Sequence, residues 1–249
     1  MAFRNGTIMD IGIAGVGVVG GALARWLGEN TQNKIKLFDP GKGLKDSLKH
    51  CDATFICTPC PTKDDGDQDY GAIEESIERS SGIKFIRSTV LPGTNDRLGT
   101  YSCPEFLTER TAYRDTCEMQ IIAGYLGHDF MRRIFPGKTF TLMSNNECEI
   151  AKYAHNAFGA VKVNFFNLIY NLCELRGCDY ERVKDAFLMS GYINQPHTAV
   201  PGPDGRFGYG GACFPKDLKA FNNFYPTKTF QSCIDENKSQ RGTDKSASS

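Results

Sequence analysis

The chain has 249 residues, and its 29 Lys and Arg balance 29 Asp and Glu, so it carries no formal net charge. Neutrality excludes the global basic field that drives nonspecific nucleic-acid binding, and any anionic ligand must be caught locally. The length allows one large domain or two ordinary ones, each with a real core. The ten cysteines are scattered over this length, which fits a reduced, cytoplasmic protein better than a disulfide scaffold. The longest run of apolar residues and glycine, Ile11 to Ala24, falls short of the roughly 18 residues of a membrane span and follows no charged leader. Neither a membrane nor a nucleic acid is an expected partner.

In chain order, Thr7 to Ala14 reads as a strand, followed by Gly15-Val16-Gly17-Val18-Val19-Gly20 and a helical stretch through Leu27. A second strand-like run, Lys34 to Phe38, stops at Asp39. This is the order of a dinucleotide-binding βαβ unit: the glycines let the backbone turn and approach a pyrophosphate, and the helix presents its first amides to the negative charge. A carboxylate at Asp39 suits a ribose diol and repels a 2′-phosphate, which favours NAD over NADP. Gly15, Gly17, Val18, Val19, Gly20 and Asp39 are therefore the expected cofactor residues.

Further strand-like runs stand at Ala53 to Thr58, Lys84 to Ser88 and Met119 to Gly124, with a helical pattern around Ala72 to Arg79. The alternation implies a mainly parallel sheet with ligands at the carboxyl ends of its strands, where Thr58 and Thr89 lie. Cys57 and Cys60 have CxxC spacing, but no second pair stands at finger spacing and Pro59 and Pro61 disturb the turn, so no metal site is expected.

From about Asn146 the character changes. Between Glu147 and Gly177 the apolar residues recur at helical spacing over about eight turns, and Gly177 supplies the stop. A helix of that length is expected to join domains or subunits, which suggests a homodimer. A second helix, Glu181 to Ser190, precedes a Pro- and Gly-rich loop, Gln195 to Gly211, that delivers Cys213. Asp217 onward is helical, with an interruption at Pro226. The polar stretch from Asn237 to Ser249 reads as a frayed tail. The expected fold class is α/β, with a Rossmann-type parallel-sheet domain (1–145), an α-helical domain with one long helix (146–240) and a disordered tail (241–249).

Six blocks in order, IGIAGVGVVGGALA, CDATFICTPCPT, RSTVLPGT, CPEFLTERTAYRD, EIAKYAHNAF and FGYGGACFPKDLKAF, closely resemble the UDP-glucose and GDP-mannose dehydrogenase family. The resemblance implies oxidation of the C6 alcohol of a nucleotide sugar to a carboxylate, with two NAD and with Cys213 holding the intermediate as a thiohemiacetal and then a thioester. It makes Lys152 and Asn156, four apart on one helix face, an oxyanion-stabilising pair. It makes Asp217 and Thr89 the residues that orient a catalytic water, with Asp217 a candidate base, and Glu109 the acid of the hydrolytic step. Glu105, Phe106 and Leu107 would cradle the sugar. The glycines of the loop (Phe207, Gly208, Gly210 and Gly211 line it) would admit the sugar beside the thiol, Lys216 would polarise its surroundings, and His197 lies in the loop that in relatives reaches toward substrate.

Two departures from the family accompany this. The interval from Asp39 to Cys51 is short, so the cofactor domain is expected to be trimmed. The family also continues past FQSCIDENKSQR into a nucleotide-gripping third domain, and a short form without it is expected here. The substrate is then held by a neighbouring subunit, or is a smaller phosphorylated or nucleotide sugar, or the chain is a fragment or compact variant; UDP-glucose is the first choice. The alternatives are a two-electron β-hydroxyacid-type dehydrogenase, which needs no cysteine, and a silent NAD-binding relic.

Overall fold

The computed structural model describes residues 8–242, and the chain divides into two compact units: Met1–Lys63 with Gln68–Lys152, and Asp64–Asp67 with Tyr153–Ser249. The first unit is built from β1 (Asp10–Ala14), α1 (Val18–Asn30), β2 (Lys34–Asp39), β3 (Leu44–Lys45), β4 (Ala53–Ile56), α2 (Gly71–Arg79), β5 (Ile83–Ile86), α3 (Thr94–Leu98) and β6 (Tyr101–Ser102). These strands form one sheet in the order β3-β2-β1-β4-β5-β6, parallel throughout except for β3. β1 and β4 are apolar and buried along almost their whole length, as strands covered on both faces must be. Phe55 of β4 stacks on Phe85 of β5 with ring centres 5.0 Å apart, and Ile11, Ile13, Leu23 and Trp26 close the same core. The chain continues through α4 (Ala112–Glu118), β7 (Ile121–Gly124), α5 (His128–Ile134) and β8 (Phe140–Met143). β7 and β8 pair in parallel as a separate two-stranded sheet.

The short interval after Asp39 has a local solution. Pro40–Lys42 makes one 3₁₀ turn, Gly43 takes a left-handed conformation (φ 75°), and β3 returns antiparallel along β2. Only glycine adopts that φ without steric cost, so a hairpin stands where a crossover helix would need more residues.

α6 (Asn145–Arg176) is continuous for 32 residues and crosses from the first unit into the second. Its start is fixed by a capping box. The Glu147 carboxylate accepts from the Ser144 N–H and hydroxyl, both at 2.7 Å, and the Glu147 N–H donates to Ser144 Oγ. At its other end Gly177 is left-handed (φ 64°) and the Cys178 N–H returns to the Cys173 carbonyl. α7 (Tyr180–Leu188), α8 (Phe214–Phe224) and α9 (Lys228–Gly242) complete the second unit. The Asp179 side chain caps α7 by accepting from the Glu181 and Arg182 amides. The loop Asp64–Asp67 belongs to this unit: Lys219 donates to the Asp64 carbonyl and Asn223 to the Asp67 carboxylate.

Two expectations need correction. α8 starts at Phe214, not at Asp217, which makes Cys213 its N-cap residue. The fraying expected from Asn237 does not occur through Gly242, because α9 is helical there and its polar side chains bond to the glycine loop. Residues 243–249 of the expected tail lie outside the described residues. No helix among the described residues is long and apolar enough to cross a membrane.

Candidate active site

The glycine turn between β1 and α1 explains its own spacing. Gly15 has φ 82° and donates to the Phe38 carbonyl, which sets the turn. A Cβ on Gly20 would stand 2.0 Å from the Gly15 carbonyl oxygen, so this position tolerates no side chain. A Cβ on Gly17 would meet nothing within 4 Å, and Gly17 caps the 13-residue α1 beside Val18 and Val19, leaving an open approach to the helix amides. The Asp39 carboxylate accepts from the Val16 N–H at 2.9 Å, and Lys42 donates to the Val16 carbonyl at 2.6 Å, so the acid at the end of β2 also latches the turn. Thr58 follows β4 with its hydroxyl buried and unpartnered, an orphan that a bound ligand's polar group can satisfy. Gly20→Ala is expected to destabilise the first unit by about 1–3 kcal/mol through overpacking and to abolish dinucleotide binding; chemical denaturation and titration with NADH fluorescence check both.

A second group in the same unit centres on Lys152. Its ammonium lies 3.3 Å from Glu105 Oε1 with the two side chains only 7% and 12% exposed, and 5.3 Å from the centre of the Phe106 ring. The other Glu105 oxygen accepts from the Leu107 N–H at 2.5 Å, which closes the turn of CPEFL. Lys152 is thus a buried, paired cation, far from the solvated charge usual for a helical lysine. A cavity beside Glu105, Phe106 and Leu107 is also lined by Arg87 and Lys138. Arg87 is buried, donates to the Cys103 thiol and leaves its Nε without a partner; as a basic residue inside a strand-end run it carried no spacing signal. Thr89 is half-buried, and its carbonyl accepts from the Gln68 amide. Glu109 heads an exposed 3₁₀ turn, Glu109–Thr111.

The second unit holds the thiol group. Asp217 is fully buried; one carboxylate oxygen accepts from the Asn156 amide at 2.6 Å and the other pairs with the Lys216 ammonium. The Asn156 carbonyl oxygen in turn lies 2.9 Å from His155 Nδ1, which leaves the amide nitrogen facing Asp217. Cys213 is exposed, and its carbonyl accepts the first helical bond of α8 from the Asp217 N–H. Burial pushes the thiols of Cys51, Cys103, Cys148 and Cys233 up, and that of Cys57 to about 12, so these are poorly suited to act as nucleophiles. Phe214 packs so closely on α6 that a Cβ on Gly159 would stand 2.5 Å from its ring. The His197 ring lies edge-on to Phe214, with centres 5.1 Å apart, on a residue with φ 65°. Partial desolvation, with Lys162 and His155 adding positive charge, holds its pKa below the usual histidine value. Lys162 donates to both Asn194 oxygens and steadies this loop.

The sequence-derived residues thus fall into two clusters, one in each unit: Glu105, Phe106, Leu107 and Lys152 in the first, and Asn156, Lys216 and Asp217, with Cys213, in the second. Lys152 and Asn156 lie one turn apart on α6 yet engage different carboxylates. Phe207 packs against Tyr170 in the second unit. Around Gly208 and Gly210 the space for a Cβ is taken by side chains of α9, whereas Gly211 faces open space.

Comparison with known proteins agrees with this architecture. Residues 146–238 match the model of the UDP-glucose/GDP-mannose dehydrogenase family, central domain. The chain is 30% identical over 229 residues to the UDP-glucose 6-dehydrogenase TuaD of Bacillus subtilis, covering 80% of this chain and 49% of that protein. It is 29% identical over 224 residues to the UDP-glucose 6-dehydrogenase of Rickettsia bellii, covering 78% and 50%. In fold it is similar to a UDP-glucose dehydrogenase from the hyperthermophilic archaeon Pyrobaculum islandicum, with a TM-score of 0.80 and 21% identity, over 96% of this chain and 70% of that one. The chain spans about half the length of the curated relatives it matches.

Proposed function

Because the chain belongs to the UDP-glucose/GDP-mannose dehydrogenase family, we propose that it oxidises the C6 alcohol of a nucleotide sugar, UDP-glucose first, to the carboxylate. The observation that carries this is the exposed Cys213 at the head of α8, four residues before a buried Asp217 held by Asn156 and Lys216. A structural thiol needs no such polar node.

The first unit fits NAD: an open Gly17, a Cβ-free crossing at Gly20, the Asp39 carboxylate and an orphaned Thr58 hydroxyl. When bound, NAD accepts the hydride at each of the two oxidations. Lys152 donates to the developing alkoxide, and loss of the hydride and the hydroxyl proton leaves an aldehyde. The Cys213 sulfur then adds to the carbonyl carbon, its proton passing to the oxygen, to give a thiohemiacetal. Loss of a second hydride and proton leaves a thioester, with Asn156 donating to the oxyanion. Water oriented by Thr89 and Asp217, with Glu109 assisting proton transfer, cleaves the thioester to the carboxylate and returns the thiol. Each substrate yields two NADH. A panel of UDP-glucose, GDP-mannose and UDP-N-acetyl sugars, with NADH counted per substrate, tests this: a yield of two supports it, a yield of one favours a β-hydroxyacid-type reaction, and NADH binding without turnover favours a silent relic.

The proposed partner is a second copy of the chain. Phe158, Phe165, Leu168, Leu172 and Leu175 are all exposed on α6, at intervals of seven, three, four and three residues, which is the seam of a helix pair. Leu172→Glu with Phe165→Glu is expected to halve the particle mass in sedimentation equilibrium, while the unsubstituted chain sediments as a dimer.

A further inference from the structure

The loop 204–211 that leads to Cys213 is tied down by side chains of α9. Asn237 grips Tyr209 at both ends of its backbone: its carbonyl oxygen accepts from the Tyr209 N–H at 2.7 Å and its amide donates to the Tyr209 carbonyl at 3.1 Å. One helical turn on, Arg241 donates through Nε to the same carbonyl at 3.0 Å, through Nη2 to the Gly208 carbonyl at 3.2 Å, and through Nη1 to the Asp204 carboxylate at 2.7 Å. Arg206 closes the ring by donating to the Arg241 carbonyl at 2.9 Å. From the other side, Asn167 of α6 accepts from the Gly208 N–H.

The glycines are cut to this strap. A Cβ on Gly208 would stand 2.4 Å from Asn237 Oδ1, and one on Gly210 would stand 2.1 Å from Arg241 Nη2. Two of the loop glycines are therefore small because α9 crosses them, whereas a Cβ on Gly205 or Gly211 would meet nothing within 4 Å. Three residues on from Gly210 comes Cys213, so whatever fixes the loop fixes where the sulfur starts.

We infer that Asn237 and Arg241 are positioning residues for Cys213, holding the glycine loop so that the thiol is presented at the head of α8. The inference rests on the proposed role of Cys213 in the second oxidation. A backbone displaced by about 1 Å can cost a reaction on the order of a hundredfold.

The test uses Asn237→Ala and Arg241→Ala in the full chain, with Arg241→Lys as a milder variant that keeps the charge facing Asp204 but loses the forked donation to the two carbonyls. Hydrogen exchange of segment 204–213 and NADH yield in a single turnover of nucleotide sugar are measured together. Exchange is expected to rise about tenfold or more, and the sulfur-dependent second oxidation to slow about tenfold or more while the first stays within about twofold, so that the early NADH yield falls from two toward one. Unchanged exchange overturns the inference, and so does an equal slowing of both oxidations, which is what general loosening of the unit would give. If the unsubstituted protein makes no NADH from any nucleotide sugar, the proposed function fails separately, and exchange alone decides whether α9 holds the loop.

Discussion

With Cys213 replaced by serine, NADH yield per nucleotide sugar is expected to fall from two to one, and carboxylate formation to fall by about a thousandfold or more, equivalent to about 4 kcal/mol of barrier. The hydroxyl of serine is almost wholly protonated at neutral pH, whereas a thiol supplies a usable fraction of thiolate. The first oxidation needs no sulfur and should persist, so the aldehyde should accumulate and be trapped by hydroxylamine. Stability should be unaffected, because Cys213 is exposed and its side chain caps nothing. A denaturation midpoint matching the unsubstituted protein, together with a one-NADH stoichiometry, separates loss of chemistry from loss of fold.

Replacing Lys152 by methionine should produce two effects that can be separated. The first is structural: removal of the ammonium leaves Glu105 in a site where its side chain is 12% exposed, and stranding one partner of a buried pair typically costs about 3–5 kcal/mol. The second is chemical: losing a donor to the developing alkoxide should lower kcat by about a hundred- to a thousandfold. Adding Glu105→Gln to Lys152→Met removes the stranded charge and should recover most of the stability while leaving kcat low. Recovery of both would mean that Lys152 serves the fold alone. Recovery of neither would mean that the carboxylate has its own part in closing the Phe106–Leu107 turn, through its bond to the Leu107 N–H.

What the sequence discloses depends on how far apart the interacting residues are. The glycine turn and Asp39 were legible because a βαβ unit fixes their spacing locally, and the apolar recurrence of α6 was legible because a helix repeats every few residues. The latch between Asp39 and the Val16 amide was not, since the acid suggests a ribose contact and says nothing of the turn it also holds. The burial of Lys152 against Glu105 was not legible either, because the two are 47 positions apart. The polar run from Asn237 reads as a tail for the same reason: Asn237 and Arg241 find their partners in a loop about thirty residues earlier, and low hydrophobicity says nothing about hydrogen bonds made across the fold. The replacement of a crossover helix by the β3 hairpin was signalled only as a missing length.

The most direct test of the sulfur's part is an acid quench during turnover with NAD and a nucleotide sugar, followed by mass spectrometry of the tryptic peptide FGYGGACFPK, which ends at Lys216. The expected result is a sugar-nucleotide acyl group on Cys213, formed together with the second NADH and lost on incubation in water. Two NADH per substrate with this peptide unmodified throughout, and with undiminished yield in Cys213→Ala, would contradict it.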